Sequence, residues 1–184
     1  ELAAALANLD PSLRKAIEES IERVFKVSRA NMPQSSSVRL SDGATVHQRW
    51  QPVESVGLYV PGGKAVYPSS VIMNAVPAMV SKVPRLAIAS PGQRQFGGRP
   101  HPTVLATAGL LGVEQVFCMG GATAVAALAF GIPELGLEPV AMVTGPGNIY
   151  VAAAKRALRG TIGIDSEAGP TEILILADES ADAK

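Results

Sequence analysis

Val113-Glu114-Gln115-Val116-Phe117-Cys118-Met119-Gly120-Gly121-Ala122 contains the pattern that decides the fold. An apolar strand over Val113 to Met119 ends in a glycine pair, and an apolar helix over Ala122 to Phe130 follows and closes at Gly131. The unit recurs on both sides. Downstream, the strand Val140-Ala141-Met142-Val143 is closed by Gly145-Pro146-Gly147, and a helix runs from Asn148 to Leu158 and stops at Gly160. Upstream, Val56-Gly57-Leu58-Tyr59-Val60 ends in Pro61-Gly62-Gly63. Ser69 or Ser70 then caps a helix that reaches about Lys82, with Pro77 expected to kink it. Leu86-Ala87-Ile88-Ala89 is the next strand, Pro91 to Pro102 a polar Gly-rich loop, and Thr103 to Leu111 a helix closed by Gly112. Thr161 to Ile164 and Ile173 to Leu176 read as the final strands. Strands that are apolar throughout, alternating with helices, predict an α/β fold whose parallel sheet is covered by helices on both faces.

The first 54 residues read differently. Asp10 followed by Pro11 is a helix start, and Leu13, Ile17, Ile21, Val24 and Phe25 recur at helical spacing as far as Asn31 to Pro33. This amphipathic helix is a packing or dimerisation arm. Asp42-Gly43, between Val38-Arg39-Leu40 and Ala44 to Trp50, predicts a hairpin after the Ser35-Ser36-Ser37 linker. The division expected is a helical arm and hairpin over 1–54 and an α/β domain over 55–184.

Lys and Arg total 16, as do Asp and Glu, and this neutrality argues against nucleic acid as the main partner. Hydrophobic residues make up 47% and aromatics 4%, so aliphatic side chains must fill the core. A single cysteine forbids an internal disulfide and fits a reducing compartment. Two histidines, His47 and His101, are too few for a typical zinc site. No leader pattern and no membrane-length apolar run stand out, which leads to the expectation of a cytoplasmic protein without a membrane partner.

In parallel sheets, ligands bind beyond the carboxyl ends of the strands. The turns at 61–63, 120–122 and 145–148 all fall there, and two of them open helices whose free N–H groups favour anionic or polar ligands. None is a dinucleotide fingerprint: in Gly145-Pro146-Gly147-Asn148-Ile149-Tyr150, a Tyr stands where the last Gly belongs. Tyr59 is either a half-buried strand aromatic or a ligand contact, and capping alone would explain Asn148. Cys118, inside an apolar strand, reads as inert core. The acids among Asp165-Ser166-Glu167-Ala168-Gly169-Pro170-Thr171-Glu172 either bind a substrate amine or solvate a loop.

Taken in order, four stretches resemble histidinol dehydrogenase: Gly57 to Gly63, Met119 to Ala122 with Ala126 to Gly131, Thr144 to Asn148, and Ile164-Asp165 with Ala168 to Glu172. The resemblance implies an incomplete Rossmann-like sheet of aldehyde dehydrogenase-like architecture. It implies a zinc- and NAD-dependent homodimer that oxidises L-histidinol to L-histidine through the aldehyde. Tyr59, Pro61, Pro146 and Asn148 match family positions that contact NAD, and Thr171 matches a substrate-contacting position. Thr123 stands where the family usually has a cofactor-contacting Gln, and its shorter side chain cannot reach as far. The family's zinc ligands and its Glu-His proton-transfer pair lie beyond the Thr171-Glu172 motif, so the resemblance implies no metal ligand and no acid/base residue in this chain, and no activity from it alone. Two other readings stand beside it: a non-catalytic nucleotide-binding fragment, and an aldehyde dehydrogenase-like enzyme with Cys118 as nucleophile.

Overall fold

Two helices and a hairpin precede the sheet in the computed structural model, which describes residues 1–62, 65–167 and 174–181. Helix α1 (Leu2–Ala7) is followed by α2 (Pro11–Ala30), where the Asp10 carboxylate accepts the N–H groups of Ser12 and Leu13, both at 3.0 Å. That cap, with Pro11 at the first helical position, is the start expected from the sequence. Strands β1 (Ser36–Ser41) and β2 (Ala44–Gln48) pair antiparallel through the Asp42-Gly43 turn, and every residue of the two strands is exposed.

The remaining elements alternate: β3 (Ser55–Tyr59), α3 (Pro68–Val80), β4 (Arg85–Ser90), α4 (Pro102–Leu110), β5 (Gln115–Cys118), α5 (Gly121–Phe130), β6 (Met142–Thr144), α6 (Ile149–Leu158) and β7 (Gly163–Ile164). The five strands form one parallel sheet in the order β5-β4-β3-β6-β7. The chain runs outward from β3 to β5, then returns through α5 to place β6 on the other side of β3. The order therefore reverses between β3 and β6, the point where open α/β sheets form a ligand crevice.

Strand alternation sorts the core into two layers. On one face, Val56, Leu58 and Ile88 pack with Ile72 and Val76 of α3 and Val104 of α4, and Ile17 of α2 joins them. On the other, Tyr59, Ala87 and Val143 pack with Leu128 of α5 and Val151 of α6. Leu58, Ile88 and Leu128 are wholly buried, which stabilises the layers by about 2 kcal/mol per side chain before entropy is counted. The expected α/β architecture, with helices on both faces, is the one found.

Several local expectations are corrected. Helix α3 starts at Pro68 behind Tyr67, not behind Ser69 or Ser70, because Pro supplies a preset first helical residue. Cys118 is exposed, not core. It ends β5, which pairs only with β4 among the described strands, so one flank lacks a covering neighbour. Its Sγ lies 3.0 Å from the Gly98 carbonyl oxygen in the loop after β4. Of the strand expected over Ile173 to Leu176, Ile173 lies outside the described residues, and Leu174, Ile175 and Leu176 form no strand and are largely exposed, because an apolar run becomes a strand only where a sheet edge pairs with it.

Candidate functional site

The turns at 120–122 and 145–148 gather at the carboxyl edge of the sheet around Tyr59, with Pro61 and Gly62 of the first turn beside them; Gly63 lies outside the described residues. Tyr59 ends β3 and is buried in the layer beneath α5. Its hydroxyl accepts the backbone N–H of Gly121 at 3.1 Å, which fixes the start of α5. Its backbone oxygen abuts Gly145, where a Cβ would come within 2.1 Å of it. Gly145 also has φ +118°, a conformation that L side chains rarely adopt, so only glycine makes this turn. One residue thus braces two of the turns.

The turn after β6 is held from both sides by charge. Lys155, one turn into α6 beyond Val151, is 3% exposed. Its Nζ donates to the Gly145 carbonyl oxygen at 2.5 Å and to Asp165 Oδ1 at 2.6 Å. Asp165, just past β7, accepts the Gly145 N–H through Oδ2 at 2.9 Å and the Ser166 N–H through Oδ1 at 2.8 Å. Burial alone would raise the Asp165 pKa. Hydrogen bonds from Lys155, Gly145 and Ser166, with the Lys155 charge, outweigh it and hold the carboxyl below its ordinary value. Asn148 then caps α6, its Oδ1 accepting Tyr150 N–H at 3.0 Å and Val151 N–H at 3.1 Å.

A pocket of about 360 Å³ opens beside this turn, lined by Asn74, Pro146, Gly147, Lys155, Asp165 and Ser166 among others. Across it, Asn74 Oδ1 accepts the Thr144 hydroxyl at 2.9 Å and its Nδ2 donates to the Ser70 carbonyl at 2.7 Å, tying α3 to the end of β6. Neither α5 nor α6 carries an acid in its first turn, and the Asp165 carboxylate beside the α6 turn is countered by the Lys155 ammonium. The edge can accept a polar or anionic small molecule.

Of the residues singled out from the sequence, Tyr59, Pro61, Pro146 and Asn148 lie on these turns and Thr123 in the first turn of α5. Pro61 is half-buried; Thr123, Pro146 and Asn148 are exposed. Thr171 lies outside the described residues. The described acids after β7 are engaged within the chain. Asp165 bonds inward to the turn, and Glu167 pairs with Arg156 at 2.6 Å and Arg159 at 3.4 Å; Glu172 is outside the described residues. His101 caps α4 through Nδ1 and His47 bonds to the Ser37 hydroxyl on the hairpin. Among the described residues no group of three or more His, Cys, Asp or Glu side chains comes together, so the residues present do not fit a zinc centre. Sequence reasoning missed Lys155 and Asn74. The signal for Lys155 was its place four residues after Val151, on the buried face of α6; for Asn74, a lone amide inside the apolar run of α3.

A family profile described as histidinol dehydrogenase matches residues 1–184. The chain is 60% identical over 184 residues to a histidinol dehydrogenase of Leifsonia xyli subsp. xyli, covering all of this chain and 42% of that protein. It is 58% identical over 182 residues to one from Corynebacterium glutamicum, covering 99% of this chain and 41% of that protein. Among solved structures, a histidinol dehydrogenase crystal structure from Elizabethkingia anophelis superposes with a TM-score of 0.88 at 30% identity, over 98% of this chain and 41% of that one. The chain therefore spans well under half the length of the relatives it matches. With the turns in order at one sheet edge and the match running end to end, the chain belongs to the histidinol dehydrogenase family.

Proposed function

We propose that this chain forms the dinucleotide-holding part of a zinc- and NAD-dependent histidinol dehydrogenase, which oxidises L-histidinol to L-histidine by way of the aldehyde. The observation that carries the reading is the meeting of the glycine turns around Tyr59 at the reversal point of the sheet, in a chain of this family. NAD, when bound, supplies the hydride acceptor. Tyr59 sets the spacing of the two helix starts, Pro61 and Pro146 wall the crevice, and Asn148 turns its amide nitrogen to the cofactor, because its oxygen is taken by the cap. Thr123 offers one hydroxyl from the first turn of α5.

Thr171 contacts the histidinol substrate in this reading. The zinc ligands and the proton-carrying Glu-His pair belong to the part of the enzyme beyond this chain, so no chemical step is assigned here. The working protein is a cytoplasmic homodimer with no nucleic-acid or membrane partner; no helix among the described residues is long and apolar enough to cross a membrane. The test is a NAD and histidinol titration of the full-length protein beside the 184-residue chain. NADH forms with the full-length protein and not with the chain alone. Absence of NAD binding by the full-length protein overturns the function, and NADH from the chain alone overturns the division of labour.

A further inference from the structure

A lysine buried to 3% exposure is expensive. Taking an ammonium out of water costs several kcal/mol, and its partner Asp165, whose side chain keeps 33% exposure, offsets that cost only in part. Lys155 and Asp165 are therefore poor value as mere fold stabilisers. What they do that an apolar pair could not is bond both polar groups of one peptide residue. Gly145 lies between the end of β6 and the start of α6, where neither strand ladder nor helix supplies partners for its backbone. Its N–H goes to Asp165 and its C=O to Lys155, while Lys155 and Asp165 bond each other, closing a ring through three elements of the fold. The residue so fixed has its open flank filled by the Tyr59 backbone, so the turn has little freedom left. Pro146, Gly147 and Asn148 follow directly, and with them the N-terminus of α6.

We propose that Lys155 and Asp165 are positioning residues for the dinucleotide: their ion pair holds Gly145 so that the Pro146-Gly147-Asn148 turn is already set in its binding shape before the cofactor arrives. The proposal rests on the assignment of NAD to this edge. The depressed Asp165 pKa agrees with it, since the carboxylate stays charged throughout the physiological range.

The test uses the full-length protein and three variants: Lys155→Met, Asp165→Asn and the double variant. Each single variant leaves an unmatched partner and lowers Tm. The double variant leaves no unpaired buried charge and recovers most of the Tm lost in Lys155→Met. If the pair positions the turn, KM for NAD in the double variant stays raised by about tenfold or more, with kcat and KM for histidinol within about twofold of the parent, the signature of lost binding that is uniform along the reaction. KM for NAD restored together with Tm overturns the proposal. Hydrogen exchange on the unmodified full-length protein without NAD is the second measurement, and it stands even if no variant folds. The Gly145 amide is as protected as those of β6 when the turn is preset, and exchanges like a free loop when it is not. If the unmodified protein binds no NAD, the functional reading fails; if it binds NAD and the double variant binds it equally well, only the positioning role fails.

Discussion

The starts of α5 and α6 lie at the same sheet edge, both follow glycine turns, and both lean on Tyr59, yet they are held by different chemistry. At α5 the side-chain restraint is one neutral hydrogen bond, donated by the Gly121 N–H to the Tyr59 hydroxyl. At α6 it is an ion pair of the buried Lys155 with the part-exposed Asp165, bonded to both sides of Gly145 and followed by the Asn148 cap. Gly121 has φ +66° with open space around the position of a Cβ, whereas Gly145 at φ +118° is pressed against backbone. The lesson is that two turns alike in sequence differ in how much error they tolerate. The α5 turn has open space at Gly121, though Gly120 packs on Pro91; the α6 turn cannot move without uncoupling β6, α6 and the segment after β7.

The largest expected effect comes from exchanging the two glycines for alanine, one at a time. Gly145→Ala meets the Tyr59 oxygen at 2.1 Å and destabilises by roughly 3 kcal/mol or more, while Gly121→Ala pays only the left-handed backbone cost of about 1 kcal/mol. Chemical denaturation of the two variants measures this, and equal losses would break the contrast. A middle-sized effect is acid sensitivity confined to the α6 turn. The folded Asp165 pKa lies below its unfolded value, so its contribution is complete above the unfolded pKa and is lost as pH falls through the folded one. Hydrogen exchange followed downward in pH should show the Gly145 amide losing protection before the Gly121 amide does, since no titrating carboxylate bonds Gly121. The smallest effect is Tyr59→Phe, which leaves the ring in the core and removes one hydrogen bond, for a loss of about 1 kcal/mol and a local rise in exchange at Gly121. A loss as large as that of Gly145→Ala would mean that the α5 turn is held as rigidly as its neighbour.

The sheet and its order of elements were legible because apolar strands and glycine stops repeat with helices between them. The Asp10-Pro11 start and the Asp42-Gly43 hairpin were legible for a local reason, being written in residues adjacent in the chain. What escaped depends on position in the assembled sheet. Gln115-Val116-Phe117-Cys118 looks like a central strand, and nothing local says that it is an edge. The spacing of Lys155 from Val151 marks the buried face of α6, but its partner lies ten residues away across β7 and no spacing rule connects the two. Leu174-Ile175-Leu176 has the propensity of a strand but pairs with none of the described strands. At the candidate site, the turns could be read as sequence; the ion pair that shapes one of them could not.

The exposed thiol of Cys118 has a practical consequence. It is the one cysteine of the chain, and it ends the strand that leads into the Gly120-Gly121 turn. A maleimide dye on this chain would therefore attach at a single address, with no engineered site needed, two residues from the α5 turn, where its emission would report on movement at the carboxyl edge of the sheet.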